Sequence, residues 1–321
     1  MTTRQEHQLG ERRTVKTNSR ARSAAVAAGA LALLTAVAAC SSSSAGSGSA
    51  AGPAAPPAGS SPGAAGSPAP SAAASAPAAS AAPSGGPAAD PAAWAKWNLK
   101  PLPAAPAAPA DKPVKLTKTG TVPVIDHIQT GDKVVFVTID DGAEKDPKFV
   151  QMLTDLKVPI TMFLTKDIIK NDYGYFKPLQ ALGNSIQNHT VTHPVMSKLP
   201  AEKQKTEICD DQTTLTQQYG TAPFLFRPPF GDGAHTPTLN ESVQQCGPRA
   251  IVLWKESMQI HDMQYQGAKT LQPGDIILAH FRGPSELKGE TMTQMFGELL
   301  SRIQEQGFAV ARLDDYIQAP G

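Results

Sequence analysis

A long segment of small and turn-forming residues limits where this chain can fold. Residues 41 to about 109 of the 321-residue chain are almost entirely Ala, Pro, Ser and Gly. Such a segment carries too little apolar side-chain area to offset the entropy cost of ordering its backbone, so the sequence predicts a disordered tether over residues 40–110. The folded part is then residues 111–321, a length of roughly 200 residues that suits one domain with a sizeable core.

Residues 1–39 have the pattern of an export signal. A basic region precedes an apolar stretch over residues 24–39 that is too short to be a comfortable membrane span. The stretch ends in Val37-Ala38-Ala39-Cys40, which resembles the lipobox of bacterial lipoproteins. The resemblance implies a signal peptide cleaved before Cys40 and a secreted protein anchored by its lipid to the outer face of the bacterial cell membrane. An ordinary secretory signal is the alternative.

Net charge and the number of cysteines limit the classes of partner and the cellular compartment that suit this protein. The full chain has a formal net charge of +1 at pH 7, and loss of its basic N-terminal segment makes the balance slightly negative. This balance argues against a nucleic-acid-binding protein. If Cys40 carries the lipid, Cys209 and Cys246 remain. An oxidising exterior is compatible with a disulfide between them, and two buried free thiols are the alternative.

Beyond residue 130, strand-like and helix-like patterns alternate. The predicted strands cover residues 134–139, 160–164, 184–188, 224–227, 251–254, 276–279 and 308–312. The predicted helices cover residues 147–156, 176–182, 201–219 and 291–306. Gly220 suits the left-handed position after the third helix. Trp94 and Trp97 interrupt the tether and are expected to dock on the domain. The alternation predicts an α/β protein with mostly parallel strands, whose functional site lies at the strand ends.

Two clusters at predicted strand ends contain metal-binding residue types. Asp140-Asp141-Gly142 closes the first strand, where Gly142 permits a tight turn and both carboxylates can converge, although the motif alone is also ordinary turn chemistry. His189 and His193 are four residues apart, so on a helical turn they can bind one ion, and a chance pair of surface histidines is the alternative. One carboxylate and two histidines would leave coordination positions open for water and substrate.

Two more motifs follow later strands. Residues 227–231 read Arg-Pro-Pro-Phe-Gly, and this turn could present a main-chain N–H to a developing oxyanion or could be a rigid surface turn. Residues 278–280 read Leu-Ala-His and put one histidine at the tip of a buried strand. Taken alone, that histidine could be catalytic, or it could be a buried core residue whose ring nitrogens are hydrogen-bonded.

In this order, the motifs resemble those of the polysaccharide deacetylase family, which has a NodB homology domain and is carbohydrate esterase family 4 (CE4). The resemblance covers residues 133–316. Residues 138–142 match the first family motif, 189–193 the second, 227–231 the third and 278–280 the fifth. The resemblance implies a distorted (β/α)7 barrel of the NodB type and a polysaccharide deacetylase catalytic domain over residues 111–321.

The resemblance also implies a role for each motif residue. Asp141, His189 and His193 would hold a divalent metal, with Zn²⁺ the first expectation and Co²⁺, Ni²⁺ or Mn²⁺ the alternatives. Asp140 would be the general base that takes a proton from the attacking water. Arg227 would orient Asp140 and favour its carboxylate form, because a nearby positive charge stabilises the anion.

Three further roles follow from the third and fifth motifs. The backbone N–H of Phe230 would help to stabilise the tetrahedral oxyanion. His280 would protonate the departing amine, and Leu278 would line the pocket for the acetate methyl group.

The fourth family motif is altered in this chain. Trp254 keeps the leading position of the motif, but Ser257 and Ile260 stand where the family offers acidic residues that support the arginine. Glu256 and Asp262 are the candidates to replace them. The departure affects the expected rate and substrate more than the metal site.

The sequence thus predicts a metal-dependent, monomeric hydrolase that removes N-acetyl groups from peptidoglycan or a chitin-like glycan at the cell surface. A deacetylase of O-acetylated xylan or a similar glycan is an alternative that uses the same site. A catalytically silent, wall-binding lipoprotein is an alternative of a different class.

Overall fold

The computed structural model of the protein describes residues 90–321, so the predicted signal peptide, Cys40 and most of the predicted tether lie outside the described residues. The α-helices of the described part are α1 (Pro91–Lys96), α2 (Pro147–Leu156), α3 (Lys166–Ile169), α4 (Phe176–Ala181), α5 (Ala201–Tyr219), α6 (Pro237–Cys246), α7 (Met292–Glu305) and α8 (Leu313–Tyr316). Its strands are β1 (Val114–Lys115), β2 (Val124–Ile125), β3 (Val134–Asp141), β4 (Thr161–Leu164), β5 (Ser185–Asn188), β6 (Leu225–Phe226), β7 (Ala250–Val252), β8 (Glu256–Met258), β9 (Met263–Tyr265), β10 (Ile276–His280), β11 (Ala309–Val310) and β12 (Ile317–Gln318).

The principal sheet has the order β2-β7-β6-β5-β4-β3-β10-β8-β9. All of its neighbouring strands are parallel except β8 and β9, which form an antiparallel pair. β3 lies near the middle, where β4 pairs with its second half and β11 with its first two residues. The backbone N–H of Ile128, just after the edge strand β2, donates to the carbonyl of Gly274, just before β10, at 2.9 Å, and so links two strands that are far apart in the sheet order. The predicted α/β class and mostly parallel sheet are confirmed.

Helix ends follow from local sequence signals. Asp146 caps α2 by accepting the backbone N–H of Lys148, and Pro147 supplies the first helical residue. Gly220 follows α5 with φ +74°, in the left-handed conformation expected at that position. Thr291 and Gln294 form a reciprocal capping box at the start of α7. Within residues 90–321, each helix is too short or too polar to cross a lipid bilayer.

The folded part begins before the predicted end of the tether. α1 lies within residues 40–110, yet the side chain of Trp94 is buried in the main hydrophobic core, and Leu102 is buried there as well. The indole Nε1 of Trp97 donates to Asp155 Oδ2 at 2.9 Å. The tether prediction is therefore wrong over residues 90–110, because two tryptophans and a leucine supply the apolar area that the preceding segment lacks. The expected docking of the tryptophans is confirmed.

Cys209 of α5 and Cys246, the last residue of α6, form a disulfide with their Cα atoms 4.7 Å apart. The predicted bridge is confirmed, and the alternative of two free thiols is not. The bond fixes α5 against α6, which matters because α5 carries side chains that hold the functional site.

Candidate active site and metal centre

The predicted site residues come together at the carboxyl ends of the parallel strands. Asp140 and Asp141 end β3, His189 directly follows β5, Arg227 directly follows β6, and His280 ends β10. The strand register places His280 opposite Asp140. One end of the barrel therefore collects side chains that are far apart in the sequence, as parallel topology requires.

Asp141, His189 and His193 form a group with metal-binding geometry. One donor atom from each lies within 4.8 Å of the others. Asp141 Oδ1 is 3.5 Å from His189 Nε2 and 3.2 Å from His193 Nε2. Burial alone would raise the pKa of Asp141, but the two histidines and His280 lower it well below its usual value, so the carboxylate is ionised.

The hydrogen bonds of this group test whether a cation fits it. His189 Nδ1 lies 2.7 Å from the carbonyl oxygen of Arg227, which can only accept, so Nδ1 carries the proton and Nε2 presents a lone pair in the neutral ring. Asp141 Oδ1 is buried with no hydrogen-bond donor. A carboxylate oxygen and imidazole lone pairs that converge in this way suit a divalent cation, and the donor set is one that Zn²⁺ takes.

The two histidines are brought together by a bend and not by a helical turn. Thr190 and His193 have φ values of +75° and +58°, and Asp141 has φ +72°. The predicted helical turn is therefore wrong, although the two imidazole rings do meet, with centroids 5.0 Å apart. Non-glycine residues in this conformation cost energy and cluster at functional sites, where surrounding contacts hold them. Gly142, with φ +90°, leaves no room for a Cβ, which would lie 2.5 Å from Ile169.

Two acidic residues of α5 supply the contacts that hold this bend. Glu207 Oε2 accepts the backbone N–H groups of Val191 at 3.0 Å and Thr192 at 2.8 Å, and its Oε1 accepts the Thr192 hydroxyl at 2.7 Å. Asp211, one helical turn later, accepts the backbone N–H of His189 at 3.1 Å. We call Glu207 and Asp211 the loop clamp. The loop clamp was not predicted from the sequence, although two acids four residues apart on one helix share a face and give a signal for it.

Arg227 is fully buried and orients Asp140. Its Nη1 donates to Asp140 Oδ1 at 2.7 Å and to the Thr138 hydroxyl at 2.8 Å. Its Nε and Nη2 donate to the carbonyl oxygens of Val252 at 3.0 Å and Leu253 at 3.2 Å. Burial lowers the pKa of the guanidinium, and the charge and hydrogen bond of Asp140 partly oppose that shift. Main-chain carbonyl oxygens therefore accept the hydrogen bonds from Arg227 that the acidic residues of the fourth motif were expected to accept.

Neither proposed replacement acid contacts Arg227. Glu256 instead lies in one cavity with Asp275, and burial and then the charge of Asp275 raise its pKa. Asp262 is exposed and lies 3.5 Å from Arg302. The suggestion that Glu256 or Asp262 supports Arg227 is therefore wrong: carbonyl groups, which are present at every position, already satisfy the guanidinium.

The remaining motif residues line the same end of the barrel. Phe230 has φ +60° in a short turn, exposes 67% of its surface, and places its ring 4.8 Å from that of His193. Leu278 is buried. Burial lowers the pKa of His280, and Asp140 and Asp141 partly oppose that shift. This end of the barrel thus combines a group with metal-binding geometry, an ion-paired carboxylate, an exposed aromatic ring and a third histidine.

Comparisons with known proteins agree with this arrangement. The family profile described as Polysaccharide deacetylase matches residues 127–251. An uncharacterised protein of Streptomyces coelicolor is 37% identical over 224 residues, which cover 68% of this chain and 88% of that protein. The peptidoglycan-N-acetylglucosamine deacetylase of Bacillus cereus is 23% identical over 194 residues, covering 57% of this chain and 68% of that protein.

Solved structures show the same fold. A CE4 family pseudoenzyme from Bacillus anthracis superposes with a TM-score of 0.52 at 17% identity, covering 63% of this chain and 71% of that chain. A peptidoglycan N-acetylglucosamine deacetylase superposes with a TM-score of 0.52 at 20% identity, covering 62% of this chain and 96% of that chain. The chain belongs to the polysaccharide deacetylase family, carbohydrate esterase family 4, and has the family's distorted (β/α)7 barrel.

Proposed function

We propose that the protein is a metal-dependent hydrolase that removes N-acetyl groups from a cell-wall polysaccharide, with peptidoglycan as the first substrate and a chitin-like glycan as the second. The observation that carries the proposal is the group formed by Asp141, His189 and His193 beside an ion-paired Asp140. Membership of a polysaccharide deacetylase family supports the reaction class. The names of relatives, which include peptidoglycan deacetylases, support the choice of glycan.

Asp141, His189 and His193 would hold the metal, and Zn²⁺ suits one carboxylate and two imidazoles best. A divalent metal bound there supplies a Lewis acid and lowers the pKa of water. The loop clamp holds residues 189–193, which we call the histidine loop, in their strained conformation. It thereby preorganises the two imidazoles. The hydrogen bond from His189 Nδ1 to the Arg227 carbonyl fixes which nitrogen faces the cation.

Asp140 is the general base in this proposal. Arg227 Nη1 occupies its Oδ1 at 2.7 Å, while its Oδ2 lies 3.5 Å from His189 Nε2, on the side of the metal-binding group. The ion pair fixes the orientation of the group, and the geometry leaves one oxygen to accept a proton from the attacking water.

His280 is the general acid, because it ends the neighbouring strand opposite Asp140 and can donate a proton to the departing amine. The N–H of Phe230 stabilises the oxyanion from a turn between prolines and glycine. Leu278, on the same strand as His280, contacts the acetate methyl group. These three assignments rest on the family motifs and on the placement of the residues.

The location of the enzyme belongs to the same proposal. A lipid on Cys40 would anchor the monomeric protein to the outer face of the bacterial cell membrane, next to the wall glycan. The disulfide between Cys209 and Cys246 supports an oxidising location outside the cytoplasm.

A catalytically silent wall-binding protein is the competing function. It is favoured by Ser257, which stands at an acidic position of the fourth motif and takes a hydrogen bond only from Gln259 at 3.2 Å among the contacts described for residues 90–321. A family member of the same fold is named a pseudoenzyme. Catalytic activity is favoured because the chain has all of the residues that the reaction needs. These are the base, its arginine, the three metal-binding residues and the candidate acid.

Acetate release separates these functions. Purified protein loaded with Zn²⁺ is incubated with peptidoglycan, chitin oligomers and acetylated xylan, and acetate and bound metal are both measured. We expect release from the N-acetylated glycans and no release by Asp140→Asn. Asp262→Asn, which changes an exposed carboxylate outside the site, is the matched control and should keep the parent rate. Release from xylan alone would indicate an O-deacetylase, and bound metal without release from any glycan would indicate the silent protein.

A further inference from the structure

A second pair of buried acids lies on the other face of the sheet from the catalytic residues. Leu278 and His280 point to one face of β10, so Ile277, which directly precedes Leu278, points to the opposite face. Glu256 of β8 is the cross-strand partner of Ile277. Its side chain therefore shares that opposite face, and it contacts Asp275, which directly precedes β10.

Glu256 and Asp275 line a cavity of about 220 Å³. The rest of its polar lining is His127, Lys255, Gln266 and Gln272. Because one water molecule takes up about 30 Å³ in the liquid, the cavity has room for an ion together with several waters. The lining offers carboxylate and amide oxygens.

Among residues 90–321, neither acid forms an ion pair with a lysine or an arginine. Each exposes only 3% of its surface. Glu256 Oε2 is buried and has no hydrogen-bond partner. Burial first, and then the charge of Asp275, raises the pKa of Glu256 to about 9. Lys255 offsets this only in part, because its Nζ lies 2.6 Å from Asp126 Oδ2.

Asp275 is held in place but can still bind a cation. Its Oδ1 lies 3.1 Å from His127 Nδ1, and its Oδ2 accepts the backbone N–H of Gln272 at 2.6 Å. Each carboxylate oxygen has two lone pairs, so one remains on each atom for a further contact. Carboxylates that bind metals are commonly held by hydrogen bonds from residues outside the ligand set, as Asp275 is held here.

We propose that this cavity binds a hard divalent cation of the Ca²⁺ type through the carboxylates of Glu256 and Asp275. Amide oxygens of Gln266 and Gln272 and several waters complete its oxygen shell, which is the shell that Ca²⁺ takes, whereas the catalytic group offers the imidazoles that suit Zn²⁺. The cation joins the β8–β9 hairpin to the start of β10. This site does not depend on the proposed catalytic function.

The test titrates CaCl₂ into Zn²⁺-loaded protein, so that the catalytic donors are already occupied. Calorimetry should find one Ca²⁺ per chain with a Kd of about 10⁻⁴–10⁻³ M, the range of sites with few charged ligands. At tenfold excess over Kd, the Tm should rise by about 3–6 °C. Glu256→Gln keeps the shape but removes the charge, and it should lose the rise. Asp262→Asn changes an exposed carboxylate of the same hairpin and should keep it.

Three results would overturn the proposal. The first is a parent protein whose Tm and heat do not respond to CaCl₂ up to 10-fold above the upper expected Kd. The second is an equal response in Glu256→Gln. The third is a Tm that rises when the pH is lowered but does not rise with CaCl₂ at any pH, which would mean that a proton is the sole occupant of the pair. If Glu256→Gln does not fold, His189→Ala decides the question: it lacks the catalytic ligand set and must still show the Ca²⁺-dependent rise.

Discussion

At the residue scale, the adjacent carboxylates Asp140 and Asp141 have separate environments. Arg227 binds Asp140, and two histidines face Asp141. Alternation along a strand would send the two side chains to opposite faces, but the left-handed conformation of Asp141 at the strand end turns both toward the site. Sequence motifs identified these residues. They did not reveal the support of Arg227, because carbonyl oxygens carry no signal in a residue pattern.

Because the two aspartates have separate environments, we expect their substitution to affect metal binding and catalytic rate differently. Asp141→Ala should lose metal affinity and activity together, because two histidines alone bind a divalent ion weakly. Asp140→Asn keeps the shape but cannot accept the proton, so it should keep the metal and lose about 10²–10⁴ in rate. Metal stoichiometry and acetate release are measured on both variants. Near-parental activity in Asp140→Asn would contradict the assignment, and loss of metal from it would mean that the two roles are exchanged.

Glu256 makes stability depend on pH. Its pKa is about 9 in the folded protein against an ordinary value of 4.5. Between these values the folded chain holds a proton that the unfolded chain has released, so this group's contribution to stability falls as pH rises through the window.

A substitution that removes the ionisable group of Glu256 should make the free energy of unfolding depend less on pH. In calcium-free buffer, Glu256→Gln should raise the free energy of unfolding at pH 8 by about 1–3 kcal/mol and change it little at pH 4. Denaturant unfolding at both pH values measures the difference, with Asp262→Asn as the control. A variant that is less stable than the parent at pH 8 would show that the carboxylate is needed in its charged form.

At the element scale, α5 links the disulfide to the histidine loop. The loop clamp lies on α5, and Cys209, between the two clamp residues in sequence, ties the same helix to α6. The loop that carries the two histidines therefore takes its shape from clamp residues that follow it by more than ten positions in the sequence. This is the physical reason that a local pattern, two histidines four residues apart, predicted a helical turn that does not exist.

The clamp predicts an effect on metal binding without contact to the metal. Glu207→Gln removes charge from an oxygen pair that accepts three hydrogen bonds from the loop, and metal affinity should fall about 10–100-fold. Glu202→Gln, in the first turn of the same helix, is the matched control. Competition with a chelator measures the affinity. Equal affinity in the two variants would show that the loop keeps its shape without the clamp.

Long elements with strong boundary signals were predictable from the sequence, and short ones were not. The predicted bounds of α2 and α5 agree with the structure, because a capped proline begins the first and a glycine ends the second. β8 and β9 have three residues each and were missed. Such short strands exist because neighbours supply their hydrogen bonds, and tertiary pairing of this kind leaves no period in the sequence.

At the scale of the whole molecule, the proposed lipid anchor is the property to test first. Cys40→Ala removes the proposed acylated residue and should move the protein from the membrane fraction to the soluble fraction. Fractionation followed by immunodetection measures the distribution, and Cys209→Ser, which leaves Cys40 intact, is the control for loss of a cysteine. Membrane retention of Cys40→Ala would contradict lipid anchoring.

The docking of α1 also sets how far an anchored enzyme could work from the bilayer. Residues 90–110 pack on the domain, so about fifty residues separate Cys40 from Asp90, the first described residue. At about 3.5 Å per residue, their greatest span is about 170 Å, whereas a tether that ran on to residue 110 could span about 70 Å more. Glycan strands beyond this radius would escape deacetylation, so the burial of Trp94 would define the depth of wall that the enzyme can modify.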